Sequence, residues 1–187
     1  MANFRTGIRM NERQYLEAQR SLFASLALGS ATATVVPVRK EYANAAMCLT
    51  VVHLLREHLA TEISKEIIES LRETTKQHYW YPAHDLHLTL KNVRNARPDR
   101  VYSFDEVERA VTAVERASRK IEPLDFAVHG PICFPTSIVL RAYGSLKHRD
   151  AVRVLDRERT LAEIPDDKTY ASDEIYLGNI TICRLTG

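Results

Sequence analysis

The sequence predicts an α+β domain: a bilobal, pseudo-twofold fold of two antiparallel-rich sheets flanked by helices around a central cleft. Two observations carry this. The first is a pair of matching strand patterns in opposite halves of the chain. "HDLHLTLKNVR" (84–94) sets Leu86, Leu88 and Leu90 against His87, Thr89 and Lys91, and "YLGNITICRL" (176–185) sets Ile180 and Ile182 against Leu177, Asn179, Thr181 and Cys183. The second is the order of elements: strand, helix, strand, helix, two strands, helix, strand, with each patterned strand arriving after a helix and a loop.

The elements are legible in turn. Asn11 followed by Gln14 reads as a capping box, and Tyr15, Leu16, Gln19, Leu22, Phe23 and Leu26 follow at helical spacing. Arg5, Arg9, Arg13 and Arg20 line a polar side of this region, either a solvated face or an RNA-contacting stripe. The small, polar "GSATAT" follows, so residues 1–40 read as an N-terminal helical extension and 41–187 as the domain. "AAMCLTVVHLL" is an apolar, β-branched strand, and Leu59, Ile63, Ile67 and Leu71 mark a helix over 59–76. "HYWYPAHD" ends it with an aromatic cluster and Pro82. Ser103 and Glu106 cap the next helix, whose apolar stripe is Val107, Ala110, Val111, Val114, Ala117 and Ile121. Residues 123–144 read as a hairpin through "GPICFPTS", and a further helix runs from about Ser145 to Leu161.

Composition bounds the function. A chain of 187 residues, 45% apolar and 27% charged, is long enough for one well-buried core. The net charge of +2 does not suggest a duplex-DNA binder built on many phosphate contacts. Cys48, Cys133 and Cys183 sit in apolar runs, an odd set without disulfide or metal spacing, and are expected as small buried side chains in a reducing, cytoplasmic setting. "SLFASLALGSATA" lacks the n-region of a secretory signal, and no run approaches the ~20 apolar residues of a membrane span.

A lone His-x-Thr is a weak signal, since about one His-x-Ser/Thr is expected by chance among seven histidines. Its context is more specific. "YPAHDLHLTLKNV" resembles the first signature of the 2H phosphoesterase superfamily, which includes 2′,5′-RNA ligases and 2′,3′-cyclic nucleotide phosphodiesterases. "PLDFAVHGPICFPTSIVLRAYG" is similar to that family's central hairpin, and "GNITICRL" stands where its second His-x-Thr belongs. The resemblance covers about residues 45–185. It implies a bilobal fold and a metal-independent reaction without a cofactor, acting on a nucleotide or RNA terminus. In that reaction one histidine takes a proton from the attacking oxygen and another gives one to the leaving oxygen, while two hydroxyls hold the phosphate.

Carried onto this chain, His87 is the acid or base, Thr89 and Thr181 are the phosphate-holding hydroxyls, and Asn179 replaces the second histidine. An amide hydrogen-bonds but does not transfer a proton near neutrality, so the resemblance implies weakened or altered activity, or a nucleotide- or RNA-binding relative. Lys91 is a candidate to neutralise phosphate charge, and Trp80 and Tyr81 to stack a base, or else to be a solvated lysine and core aromatics. His84, His129, Tyr81 and Tyr176 are the alternative proton-transfer partners. Arg141 is a candidate phosphate partner, and Arg184 is discounted because a regular strand points it away from Thr181.

Overall fold

A computed structural model describes residues 10–29, 47–97, 102–134, 136–167, 172 and 174–186. Arg5, Arg9, the segment from Ser30 through "ATAT" and the boundary at 40/41 lie outside these residues.

The helices begin where the caps put them. Helix α1 (Glu12–Gly29) opens on a reciprocal pair: Gln14 N donates to Asn11 Oδ1 at 3.0 Å, and Asn11 N donates to Gln14 Oε1 at 2.9 Å. Helix α2 (Glu57–Ile63) runs through a π-helical turn (Ser64–Ile68) into α3 (Glu69–Thr74). Helix α4 (Phe104–Ser118) is capped by Ser103, whose hydroxyl accepts from Glu106 N at 3.1 Å, and α5 (Leu146–Leu161) by Ser145, which accepts from Lys147 N. The stripe predicted for α4 is narrower than expected. Ala113 and Ala117 are buried, but Val111 is 54% exposed.

The strands form one six-stranded antiparallel sheet, where the sequence led us to expect two. Its path is β1 (Met47–Leu54), β3 (His87–Arg97), β6 (Gly178–Arg184), β5 (Ser137–Gly144), β4 (Phe126–Phe134), and the short β2 (Tyr79–Trp80) pairs with the far end of β6. The two patterned strands are therefore central and adjacent. Leu88 lies across from Ile180. Both are buried with Leu86, Leu140 and Ala142 against Ala60, Ile63 and Ile68 of the α2–α3 region. Each leucine or isoleucine among them stabilises the fold by roughly 1.5–3 kcal/mol on removal from water. Alternation along the strands sends their polar neighbours to the opposite face.

Helix α1 is docked on the domain rather than trailing from it. Tyr15, Gln19 and Phe23 are buried; Gln19 Nε2 donates to Tyr176 O at 2.8 Å, and the Phe23 ring meets the edge of Tyr143 at 5.3 Å. The cysteine expectation is corrected. Only Cys183 is buried, its thiol pushed up to about 12 chiefly by desolvation, whereas Cys48 and Cys133 are exposed. Both exposed residues lie on β1 and β4, which among the described strands have a neighbour on one side only. No described helix is long and apolar enough to cross a membrane.

Candidate functional site

The register of the two central strands builds the site. With Leu88 opposite Ile180, an antiparallel continuation sets His87 across from Thr181 and Thr89 across from Asn179. All four side chains stand on the face opposite the core, and all four residues are half-buried. On the flanks, Val52 pairs with Thr89 and Leu54 with His87, while Arg141 pairs with Asn179 and Val139 with Thr181. His129 in turn pairs with Arg141. A row thus crosses four strands of this face: Thr89, Asn179, Arg141, His129.

His87 is oriented by its own approach loop. Pro82 and the single 3₁₀ turn Ala83–Asp85 aim the Asp85 carbonyl back at the ring, 2.8 Å from Nδ1. A carbonyl oxygen only accepts, so Nδ1 carries the proton and donates it. The Nε2 lone pair is then free for a proton in the sheet-face site, the tautomer a general base needs. Among the described residues, the Thr89 and Thr181 hydroxyls and the Asn179 carboxamide have no hydrogen-bond partner. Three donors on one face, flanking an oriented imidazole, can hold the oxygens of a tetrahedral oxyanion.

Lys91 does not belong to this group, and the reason is a β-bulge. Val51 pairs with Lys91 but Val52 pairs with Thr89, so Leu90 is an extra residue in β3. Consecutive Val51 and Val52 point to opposite faces, and so do their partners. Lys91 is turned inward, 1% exposed, with Nζ 2.8 Å from Asp156 and 2.9 Å from Asp166. It is a structural cation, not a phosphate ligand.

Trp80 and Tyr81 are also corrected. Both are half-buried against the core, the indole N–H donating to Thr75 O at 3.1 Å, and the Tyr81 hydroxyl accepting from Arg184 Nε at 3.4 Å. Edge contact with Tyr79, ring centroids 5.2 Å apart, further occupies the Tyr81 ring. Of the two roles the sequence leaves open to them, they take the packing one, against the core.

The alternative proton donors fare unevenly. Tyr176 is buried beneath α1, and its backbone anchors Tyr15 and Gln19. His84 is exposed beside Asp85, 3.6 Å from its carboxylate. His129 shares the site's face but sits on β4, three strands from His87 on β3. At about 4.8 Å per strand that is too far for both rings to serve one phosphorus.

An apolar cavity of about 330 Å³ lies elsewhere, between the β1–β3 pair and α4, lined by Leu49, Val51, Val93, Val107, Ala110 and Val114 among others. None of His87, Thr89, Asn179 and Thr181 lines it. Among the described residues, no group of three or more His, Cys, Asp or Glu is placed to hold a metal. No family model, no curated protein and no solved structure matches the chain, so the reading of the site stands on its own geometry.

Proposed function

We propose that the chain is a metal-independent phosphoesterase of the 2H type, weakened by Asn179, acting on the 2′,3′-cyclic phosphate or 2′,5′-phosphodiester of RNA or a nucleotide. The observation that carries this is the pairing of β3 with β6, which gathers His87, Thr89, Asn179 and Thr181 on one face. In keeping with that family's bilobal, pseudo-twofold plan, each of the two central strands follows a helix and is flanked by a strand from its own half of the chain.

The chemistry follows from the groups present. Thr89, Thr181 and the Asn179 amide donate to the non-bridging phosphoryl oxygens. His87 Nε2 takes a proton from the attacking water as its oxygen bonds to phosphorus, and the bond to the ribose oxygen breaks. The leaving oxygen takes its proton from solvent, because Asn179 has none to give. One acid–base group in place of two leaves the rate 10²–10⁴-fold below what a complete pair supports, by the usual worth of such a group.

The test is hydrolysis of a nucleoside 2′,3′-cyclic monophosphate in the presence of chelator. Turnover that falls by about two orders of magnitude in His87→Ala supports the reading. Turnover unchanged in that variant overturns it. Asn179 favours one second reading, a nucleotide- or RNA-binding relative that keeps the site and lacks the reaction. Affinity for a nucleoside 2′-monophosphate without turnover identifies that case.

A further inference from the structure

The row that begins at Thr89 and Asn179 continues into a basic cluster that the phosphoryl chemistry does not use. Arg141 faces the same side as Asn179, one strand over, and its Nε donates to Gly130 O at 3.1 Å where β4 bulges between His129 and Pro131. That bond fixes the guanidinium and, among the described residues, leaves both terminal nitrogens without a hydrogen-bond partner. The neighbouring ring of Tyr143 gathers two more side chains: the His129 ring meets it edge-on at 4.9 Å, and the Arg20 guanidinium of α1 lies over it at 5.9 Å. Among the described residues, neither Arg20 nor Arg141 has a carboxylate partner, whereas Arg13, seven positions before Arg20 on the same helix, pairs with Glu17 at 3.0 Å. Tyr143 is itself buried beneath Phe23, so the cluster has a rigid floor.

Unpaired guanidiniums held on a rigid surface are the usual receptors for phosphate. Strands about 4.8 Å apart put Arg141 about 5 Å, and His129 about 10 Å, from the strand that carries Asn179. That is a neighbouring site rather than part of the first one. We infer that Arg20, Arg141 and His129 form a second phosphate subsite, so that the preferred ligand is an oligoribonucleotide end with at least two phosphates rather than a mononucleotide. The inference rests on the reading of the His87 face as a phosphoryl site and names which of that site's ligands fits best. It also gives α1 a task, since Arg20 reaches the cluster only because Tyr15, Gln19 and Phe23 dock that helix.

The experiment compares the affinities of adenosine 2′-monophosphate and of a diadenylate carrying a terminal 2′- or 3′-phosphate, by titration calorimetry at several salt concentrations. The unsubstituted protein is expected to prefer the dinucleotide by about tenfold or more, as one charge-assisted contact allows. Its affinity should also fall more steeply with salt, by about 0.7 in log–log slope for each added phosphate contact. Arg141→Gln and Arg20→Gln are each expected to reduce that preference and that extra slope. A preference that survives both substitutions overturns the subsite. So does equal weakening of both ligands, which would put the arginine in the first phosphate's site and leave the His87 reading standing. Absence of binding by either ligand to the unsubstituted protein overturns the His87 reading and the subsite with it.

Discussion

At the position across from Thr89, an amide stands where a second imidazole would complete an acid–base pair, and the site's chemistry turns on that one side chain. Asn179 and histidine are close in reach, and both donate to a phosphate oxygen, but only histidine exchanges a proton near neutrality. Restoring it tests whether anything else is missing. Asn179→His is expected to raise turnover of a 2′,3′-cyclic nucleotide by 10²-fold or more while changing ligand affinity little, measured as separate effects on kcat and KM. No gain in kcat would show that the geometry around the phosphorus, not the proton, is at fault. The cysteines offer an independent check on the exposure of single residues. Iodoacetamide is expected to label Cys48 and Cys133 in the folded protein and to reach Cys183 only on unfolding, because burial raises that thiol's pKa to about 12. Rapid labelling of all three would contradict the buried end of β6.

At the scale of elements, β3 shows why some of the site was legible in the sequence and some was not. Period-two alternation assigned Leu86 and Leu88 to the core and His87 and Thr89 to the other face, and the structure agrees through Thr89. Alternation then fails at Leu90, since a bulge shifts the phase without leaving a mark such as glycine or proline. Lys91 was therefore assigned to the wrong face. The caps at Asn11 and Ser103 were readable because each joins residues three positions apart. The adjacency of β3 and β6, and the gathering of Arg20, His129 and Arg141, depend on distant pairings that no local pattern encodes. The new position of Lys91 makes a prediction that separates the two assignments. Lys91→Met leaves Asp156 and Asp166 facing each other without their shared cation, apart from Arg159 at 3.5 and 3.4 Å. Loss of one partner from a largely buried network should destabilise by about 3 kcal/mol in urea unfolding, with nucleotide affinity of the folded protein unchanged. A stable variant with weakened nucleotide binding would return Lys91 to the site.

Across the whole molecule, the junction of sheet and helices contains a buried histidine that makes the fold sensitive to acid. His148 of α5 is 1% exposed, its ring edge-on to Phe126 at 4.9 Å, and among the described residues neither ring nitrogen has a hydrogen-bond partner. Gly144 makes the seat possible: a Cβ there would come within 2.7 Å of the His148 Cβ. Desolvation disfavours the imidazolium and lowers the pKa from 6.5 to about 4. The unfolded chain therefore binds the proton more readily than the folded one over that interval. Stability is full above pH 6.5, falls as the pH drops, and has lost this contribution at about pH 4, a total of about 3 kcal/mol at 1.36 kcal/mol per unit. Urea midpoints measured between pH 7 and pH 4 should decline for the natural sequence, and the decline should be smaller in His148→Leu by about that amount. Parallel profiles for the two proteins would mean that the imidazole takes up its proton inside the fold. Because the seat joins β4, β5 and α5, the strands beside it carry two of the three members of the basic cluster, Arg141 and His129. Acid loosening should therefore reduce the dinucleotide preference before it reduces affinity for a single phosphate at His87.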